Sequence, residues 1–168
     1  MGTHEHKAAA LRHLRVAILT VSTTRSIKED KSGKWIARRA AREGHQVVDH
    51  RVVTDDAPAI VSHVQEIVAA FRPHALLVTG GTGIGPADVT IEAVRPLLHK
   101  ELTAFGPLFA QLSYEEIDSS ALLSRATAGL IEQTLLFCMP GSLNACKLAC
   151  KALIFPELGH LAKHVLSG

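Results

Sequence analysis

Ala75-Leu-Leu-Val-Thr-Gly-Gly-Thr-Gly-Ile-Gly-Pro-Ala-Asp88 joins a short apolar run to a glycine-rich loop that ends in a carboxylate. A continuous run of Leu and Val is typical of a buried parallel strand. Glycines directly after such a strand let backbone N–H groups approach an anion, because no Cβ atoms stand in the way. The stretch therefore predicts a strand that leads into a phosphate-sized loop. A tight turn without a ligand is the alternative interpretation.

Length and composition predict one compact domain. The chain has 168 residues, of which 47% are hydrophobic and 20% are charged, enough for a substantial core. The formal net charge of +2 and the few, scattered aromatic residues do not form the basic, aromatic-lined surface of a nucleic-acid-binding protein. We therefore expect no nucleic-acid partner.

The ends of the chain and its cysteines indicate a cytoplasmic protein. The first seven residues are polar, and residues 1–12 are predicted to form a flexible N-terminal tail, with residues 13–168 as the single domain. The apolar run Val16–Val21 is too short for a signal core or a membrane span, so no membrane partner is expected. The odd number of cysteines, three, fits a reducing compartment better than a disulfide framework.

Two residue pairs have the i, i+4 spacing of ligands on one helix face. Cys146 and Cys150 are more simply interpreted as small buried residues, because no ligand pair completes a metal site. His160 and His164 lack the Glu of the HExxH pattern and are interpreted as surface residues of a terminal helix.

Apolar periodicity predicts alternating strands and helices. The first helix is expected to begin with Ser32 as its N-cap and to end at Gly44 in a left-handed C-cap. This alternation implies right-handed crossovers. The predicted fold is a three-layer α/β/α domain, with a mostly parallel sheet, helices on both faces and room for one antiparallel strand at an edge. The predicted strands are 15–22, 46–53, 74–79, 126–131 and 134–138, and the predicted helices are 32–43, 59–71, 90–99, 107–116, 143–153 and 155–166.

Polar loops follow several of these strands at one edge of the sheet. They are Ser22–Asp30, Asp55-Asp56, the glycine loop through Asp88, and Pro140-Gly-Ser142. Ligands of open parallel sheets bind beyond the carboxyl ends of the strands. These distant segments are therefore expected to meet in one crevice.

The glycine loop matches neither of the common nucleotide motifs. Pro86 stands where a dinucleotide-binding fingerprint needs glycine, and no Gly-Lys-Ser/Thr follows as in a P-loop. Carboxylates beside a phosphate would repel it unless a divalent cation lay between them. Asp55 and Asp88 thus indicate Mg²⁺ and phosphoryl or nucleotidyl transfer. The alternative is that either aspartate merely caps a helix.

The combined motifs resemble a known family over nearly the whole chain from Arg15 onward. They are Asp30-Lys-Ser-Gly33, Thr79-Gly-Gly-Thr-Gly83, Asp88-Val-Thr90, Phe105-Gly106, Gln111-Leu-Ser113, Glu115-Glu-Ile117, Ser124-Arg-Ala126 and Pro140-Gly-Ser142. The chain is similar to the molybdopterin-binding proteins of molybdenum cofactor biosynthesis, a group of small bacterial proteins that includes the molybdopterin adenylyltransferases.

The resemblance implies a reaction and assigns residues to it. The terminal phosphate of molybdopterin would attack the α-phosphorus of ATP, with Mg²⁺ required, to give adenylylated molybdopterin and pyrophosphate. Asp55 and Asp88 would be the catalytic residues and would hold Mg²⁺. The molybdopterin and phosphate seat would comprise Thr79, Gly80, Gly81, Thr82, Gly83, Pro140, Gly141 and Ser142. Weaker candidates are Ser22, Asp30, Lys31, Ser113, Ser124 and Arg125.

The resemblance leaves two functions open. This chain has both Asp55 and Asp88, which favours an active enzyme. Two departures from the family pattern count against it: Thr23 stands where many relatives carry an acidic residue, and Ile91 replaces a common proline. A non-catalytic molybdopterin-binding or carrier protein is the main alternative, and a flavodoxin-like module for another phosphorylated ligand is a third. The expected partners are copies of this chain, as a homotrimer or a dimer of trimers, and other proteins of molybdenum cofactor biosynthesis.

Overall fold

The computed structural model describes residues 10–167, and within them the chain forms a six-stranded sheet of order β2-β1-β3-β6-β5-β4. Residues 1–9 of the predicted tail lie outside the described residues. At the end of that tail, the backbone N–H of Leu11 donates to the carbonyl of Gly159, at 3.2 Å. The strands are β1 (Arg15–Val21), β2 (Gln46–Val53), β3 (Ala75–Thr79), β4 (Lys100–Glu101), β5 (Thr127–Ile131) and β6 (Thr134–Met139).

The sheet is mostly parallel, as predicted. Strands β2, β1, β3 and β6 run in one direction, and β5 is antiparallel to both β6 and β4. The antiparallel strand lies one position in from the edge, because Lys100 and Glu101 pair outside it with Leu130 and Gly129. The sequence did not predict β4, since two exposed charged residues carry no strand pattern.

Helices cover both faces of the sheet and confirm the three-layer fold. On one face the core includes Ile36, Phe109 and Leu158, and on the other it includes Ile60 and Ile91. The helices are α1 (Lys31–Arg42), α2 (Ala57–Phe71), α3 (Thr90–Val94), α4 (Phe105–Ile117), α5 (Leu143–Ala149) and α6 (Phe155–Leu166).

Several helix ends differ from the predicted ones. The cap of α1 is Asp30, not Ser32, because the Asp30 carboxylate accepts from the Gly33 N–H. Gly44 has a φ of +87°, as expected for the residue that ends this helix. Pro96 shortens α3, which continues only as a 3₁₀ turn over Arg95–Leu97. A second 3₁₀ segment, Asp118–Leu123, follows α4, and a π-helical turn, Cys150–Ile154, joins α5 to α6.

All three cysteines are buried and unpaired, which confirms their interpretation as core residues. Burial raises the pKa of Cys138 to about 12 and that of Cys146 to about 11. Their thiols are therefore protonated and unreactive at neutral pH. Within residues 10–167, no helix is long and apolar enough to cross a membrane.

Candidate active site

A cavity of about 320 Å³ lies beyond the carboxyl ends of β1, β3 and β6. It sits where the chain order of the strands reverses, the position at which open α/β sheets bind ligands. The predicted site residues that line it are Ser22, Asp55, Gly80, Gly81, Thr82, Gly83, Asp88, Pro140 and Gly141. The structure thus brings together the loops that follow four different strands.

The glycine loop has a backbone that few other residues adopt. Gly80 and Gly81 have φ values of +100° and +66°. A Cβ atom on Gly80 would lie 2.2 Å from the carbonyl oxygen of Val21, so no side chain fits there. A Cβ atom on Gly141 would lie 3.1 Å from the Gly80 Cα, which shows that the two loops meet backbone to backbone.

Two buried threonines hold this loop in place from below. The Thr90 hydroxyl donates to the carbonyl of Gly80, at 2.8 Å, and its N–H donates to the carbonyl of Gly81, at 3.0 Å. The Thr79 hydroxyl donates to the carbonyl of Pro140, at 2.9 Å. Thr79, predicted to bind substrate, is fully buried and joins β3 to the Pro140 loop beneath the cavity.

Asp55 is positioned by the loop after β1 and does not cap α2. Its Oδ2 accepts from the N–H and the hydroxyl of Thr23, at 2.7 and 2.8 Å. The cap of α2 is Asp56, whose carboxylate accepts from the Ala59 N–H at 2.9 Å. Asp55 Oδ1 faces the loop, 3.1 Å from where a Cβ of Gly81 would stand. None of the described residues donates a hydrogen bond to this oxygen.

Asp88 closes a turn of the glycine loop and likewise caps no helix. Its Oδ2 accepts from the Gly85 N–H at 2.9 Å, and its own N–H donates to the Gly85 carbonyl at 3.0 Å. Helix α3 begins after Val89 without a side-chain cap. The carboxylate lies against Gly83, 2.7 Å from where a Cβ would stand. Asp88 Oδ1 receives no hydrogen bond from residues 10–167.

The two carboxylates of the cavity offer oxygen donors of the kind that Mg²⁺ binds. Asp55 and Asp88 each present one oxygen without a hydrogen-bond donor among the described residues, and carboxylate oxygens are the ligands that Mg²⁺ prefers. No group of three His, Cys, Asp or Glu residues within 10–167 is arranged to hold a metal. Two carboxylates, with waters and substrate phosphates, are the usual way in which Mg²⁺ is held.

Arg125 holds the glycine loop at Gly83. One guanidinium nitrogen donates to the carbonyl of Gly83, at 2.7 Å, and the other pairs with Glu92. Glu92 belongs to α3, so Arg125 joins the glycine loop to this helix. The geometry makes Arg125 a support of the loop.

The three candidate serines beyond this loop lie in an adjoining groove. Ser113, Ser124 and Ser142 line it together with Leu123, which also borders the cavity. The Ser142 hydroxyl accepts from the Ala145 N–H and caps α5, whereas the Ser113 hydroxyl donates to the Phe109 carbonyl within α4. The structure does not bring them onto the cavity wall.

Asp30 lies outside the cavity as well, fully buried between β1, β2 and α1. Its carboxylate accepts from the Thr20 hydroxyl at 2.6 Å, and from the Gly33 N–H and the His50 ring, each at 2.8 Å. Burial opposes ionisation, but these hydrogen bonds outweigh it and lower the pKa of Asp30. Lys31, next to it, faces a smaller pocket bordered by Arg25.

The sequence placed the loop Ser22–Asp30 at the crevice, but several residues of the cavity wall were not among the predicted site residues. Thr23, Thr24 and Arg25 all come from the loop after β1, and Leu123 comes from the 3₁₀ segment. Arg25 could have been predicted as a site residue, because it is a cation in a loop at the carboxyl edge of the sheet. No sequence pattern pointed to Leu123.

Comparison with known proteins identifies the family. The model of a probable molybdopterin binding domain matches residues 17–160. A molybdenum cofactor biosynthesis protein B of Bacillus subtilis is 43% identical over 166 residues, which are 98% of each chain.

Solved structures agree with this sequence match. A crystal structure of a molybdenum cofactor biosynthesis protein B superposes with a TM-score of 0.90 at 43% identity, covering 93% of this chain and 98% of the other. The tungsten cofactor synthesizing protein MoaB from Pyrococcus furiosus gives 0.83 at 36% identity, covering 93% and 99%. These matches confirm the resemblance drawn from the motifs: the chain belongs to the molybdopterin-binding family of molybdenum cofactor biosynthesis proteins.

Proposed function

We propose that this protein transfers the adenylyl group of ATP to the terminal phosphate of molybdopterin in an Mg²⁺-dependent reaction. The observation that carries the proposal is that Asp55 and Asp88 border the same cavity as the glycine loop. Each of them turns one carboxylate oxygen away from its protein partners. A site for phosphate binding alone has no need for two such carboxylates beside the anion.

The glycine loop is the proposed seat of the molybdopterin phosphate. Its backbone comes within reach of a ligand because Gly80, Gly81 and Gly83 present no side chains to the cavity. The buried Thr79 and Thr90 fix its shape before a ligand arrives, which lowers the entropy lost on binding.

The reaction balances as a single displacement at phosphorus. A terminal phosphate oxygen of molybdopterin forms a bond to the α-phosphorus of ATP, and the bond from that phosphorus to the oxygen bridging to the β-phosphate breaks. Pyrophosphate leaves with the electron pair. Mg²⁺, when bound, neutralises charge on the triphosphate oxygens. Asp55 and Asp88 would hold the ion, and this would orient the triphosphate for in-line attack. Arg25 lines the same cavity, where its positive charge would attract the anionic substrates.

The test is to incubate the purified protein with molybdopterin, ATP and MgCl₂, and to measure adenylylated molybdopterin and pyrophosphate. Formation of both in equal amounts, abolished by EDTA and restored by Mg²⁺, is the expected result. Folded protein that binds molybdopterin and forms neither product would show the carrier function instead. Tight binding of a flavin without binding of molybdopterin would contradict both.

We further propose that the protein acts in the cytoplasm as a homotrimer or a dimer of trimers. Helix α4 and the 3₁₀ segment after it leave a run of large apolar side chains exposed to solvent, a feature typical of subunit contacts. Leu122 is 87% exposed. Sedimentation equilibrium checks the assembly, and Leu122→Asp should shift it toward monomers. The exposed residues are Leu108, Tyr114, Ile117, Leu122 and Leu123.

A further inference from the structure

The outer face of α1 carries a row of exposed cations at intervals of three, four and four residues. These intervals place them on one face of the helix. The opposite face is buried in the core and includes Ile36 and Ala40. The row, the cationic stripe, consists of Lys31, Lys34, Arg38 and Arg42.

No acidic residue neutralises the cationic stripe. Helix α1 contains neither Asp nor Glu. Among residues 10–167, none of the four cations forms an ion pair. The two exposed acids that flank the helix are used elsewhere, because Glu43 pairs with Arg39 and Glu29 accepts from Ser26. The stripe therefore presents its full charge to solvent.

The cationic stripe works against the stability of the helix that carries it. Like charges four residues apart repel each other, as in the pairs Lys34–Arg38 and Arg38–Arg42. Lys31 and Lys34 lie in the first turn, where the helix dipole favours acids. Departures from local preference of this kind are expected at functional positions. We therefore look for the counter-charge outside the chain.

The chemistry of this face favours carboxylates over a nucleic acid or a lipid surface. Trp35, the one aromatic residue of α1, is partly buried, and the Lys151 ammonium lies 5.8 Å from its ring centroid. The ring is thus not open to stack with a base. No large apolar side chain of α1 is exposed, whereas a helix that lies on a membrane inserts such side chains.

The spacing of the stripe fits a second helix. The row spans about 16 Å along the helix axis. Carboxylates at the same intervals on another helix form a row of equal length, so that each can approach one cation. We propose that the cationic stripe is the docking surface for an acidic helix of a partner protein.

The docked partner would lie beside the candidate active site. Lys31, at the amino end of the stripe, borders a pocket together with Arg25, which also lines the cavity. A partner at this position is placed to deliver a ligand to the cavity or to receive one from it. None of the four cations lines the cavity, so docking is testable whether or not the protein transfers adenylyl groups.

The test is fluorescence anisotropy with a labelled helical peptide that carries glutamates on one face at the intervals of the stripe. The wild type should bind it at least about tenfold more tightly than a peptide of the same composition with its glutamates spread around the helix. Lys34→Glu/Arg38→Glu should weaken binding about tenfold or more, because two attractions become repulsions. The matched control, Arg72→Glu/Lys100→Glu, makes the same change in net charge at the end of α2 and in β4. It should bind as the wild type does.

Thermal unfolding separates a loss of docking from a loss of fold. Lys34→Glu/Arg38→Glu breaks the row of like charges and puts a glutamate in the first turn, so its melting temperature should be no lower than that of the wild type. Equal affinity for the two peptides, or an equal loss of affinity in the control, would overturn the proposal. Tighter binding of duplex DNA or of phosphatidylserine vesicles than of the aligned peptide would overturn it as well.

Discussion

Thr23 holds Asp55 by two hydrogen bonds to a single carboxylate oxygen, one from the backbone N–H and one from the hydroxyl. Only the second depends on the side chain. Thr23→Ala should therefore lower adenylyl transfer roughly tenfold, because a hydrogen bond to a charged group contributes about 1.5 kcal/mol. Steady-state kinetics provide the measurement. Thr23→Ser keeps the hydroxyl and should retain most of the activity, and equal losses in both variants would contradict this role.

Asp88→Asn tests the proposed magnesium site, because it removes the charge and keeps the shape. Adenylyl transfer should fall about a hundredfold or more, with unchanged thermal unfolding and unchanged affinity for molybdopterin. Normal turnover would exclude Asp88 as a metal ligand. Asp56→Ala is the control, since Asp56 caps α2 and lies outside the cavity lining. It should cost about 1 kcal/mol of stability and leave the turnover rate unchanged.

Gly83→Ala and Gly81→Ala together test whether the glycine loop binds a ligand or is only a tight turn. At Gly81, the φ of +66° and a Cβ only 2.3 Å from the Thr90 hydroxyl predict a loss of at least about 1 kcal/mol of unfolding free energy. Gly83 has no positive φ, and its Cβ would displace the Asp88 carboxylate. Gly83→Ala should thus lower activity far more than it lowers the melting temperature. The reverse pattern would favour a turn that holds no ligand.

Arg125→Lys tests whether the glycine loop needs support from two directions. A lysine ammonium does not reproduce the guanidinium fork that reaches the Gly83 carbonyl and Glu92 together. The variant should raise the KM for molybdopterin several-fold, with a smaller change in kcat. Glu92→Gln keeps the contact to Gly83 and should have the weaker effect. Identical KM values in all three proteins would show that the loop is rigid without Arg125.

The buried Asp30 should make stability depend on pH in the acid range. Burial disfavours its charge, but the hydrogen bonds from His50, Thr20 and Gly33 leave its pKa below the ordinary 3.8. The stabilisation is therefore complete above the unfolded-state value near pH 4 and is lost as the pH falls through the lower, folded-state pKa. Urea unfolding between pH 7 and pH 2.5 should show this loss in the wild type. Asp30→Asn should be less stable at pH 7 and lack this component of the pH dependence.

Features set by local sequence were predictable. Apolar periodicity located the strands β2 and β5 within one residue at each end, and the glycines marked the loop that the structure places at the cavity. Local patterns failed where tertiary contacts decide. Both Asp30 and Ser32 are good caps, and only the fold shows that Asp30 accepts from Gly33 while Ser32 donates to the Gly141 carbonyl.

The same limit applies to the candidate site. Asp55 and Asp56 are equivalent in a pattern of residues before a proline, and their roles separate only when β1 brings Thr23 alongside Asp55. Ser113 and Ser142 look like polar site residues in the sequence, yet their hydroxyls are used within their own helices. A motif identifies residue types, whereas the direction of each side chain depends on neighbours far along the chain.

Gly80 and Gly141 approach each other closely, so main chain forms the floor of the cavity at this point. Side chains form its rim. A substitution changes a side chain and leaves the main chain in place. The chemistry of the floor therefore changes little as long as the fold is kept. Main-chain amides bind phosphate well, so a phosphate is the part of a substrate that such a floor is suited to hold. The rest of the substrate is then recognised by side chains of the rim, which include Arg25 and Leu123. Substitutions at these two positions should therefore change which ligand binds and leave the fold unchanged.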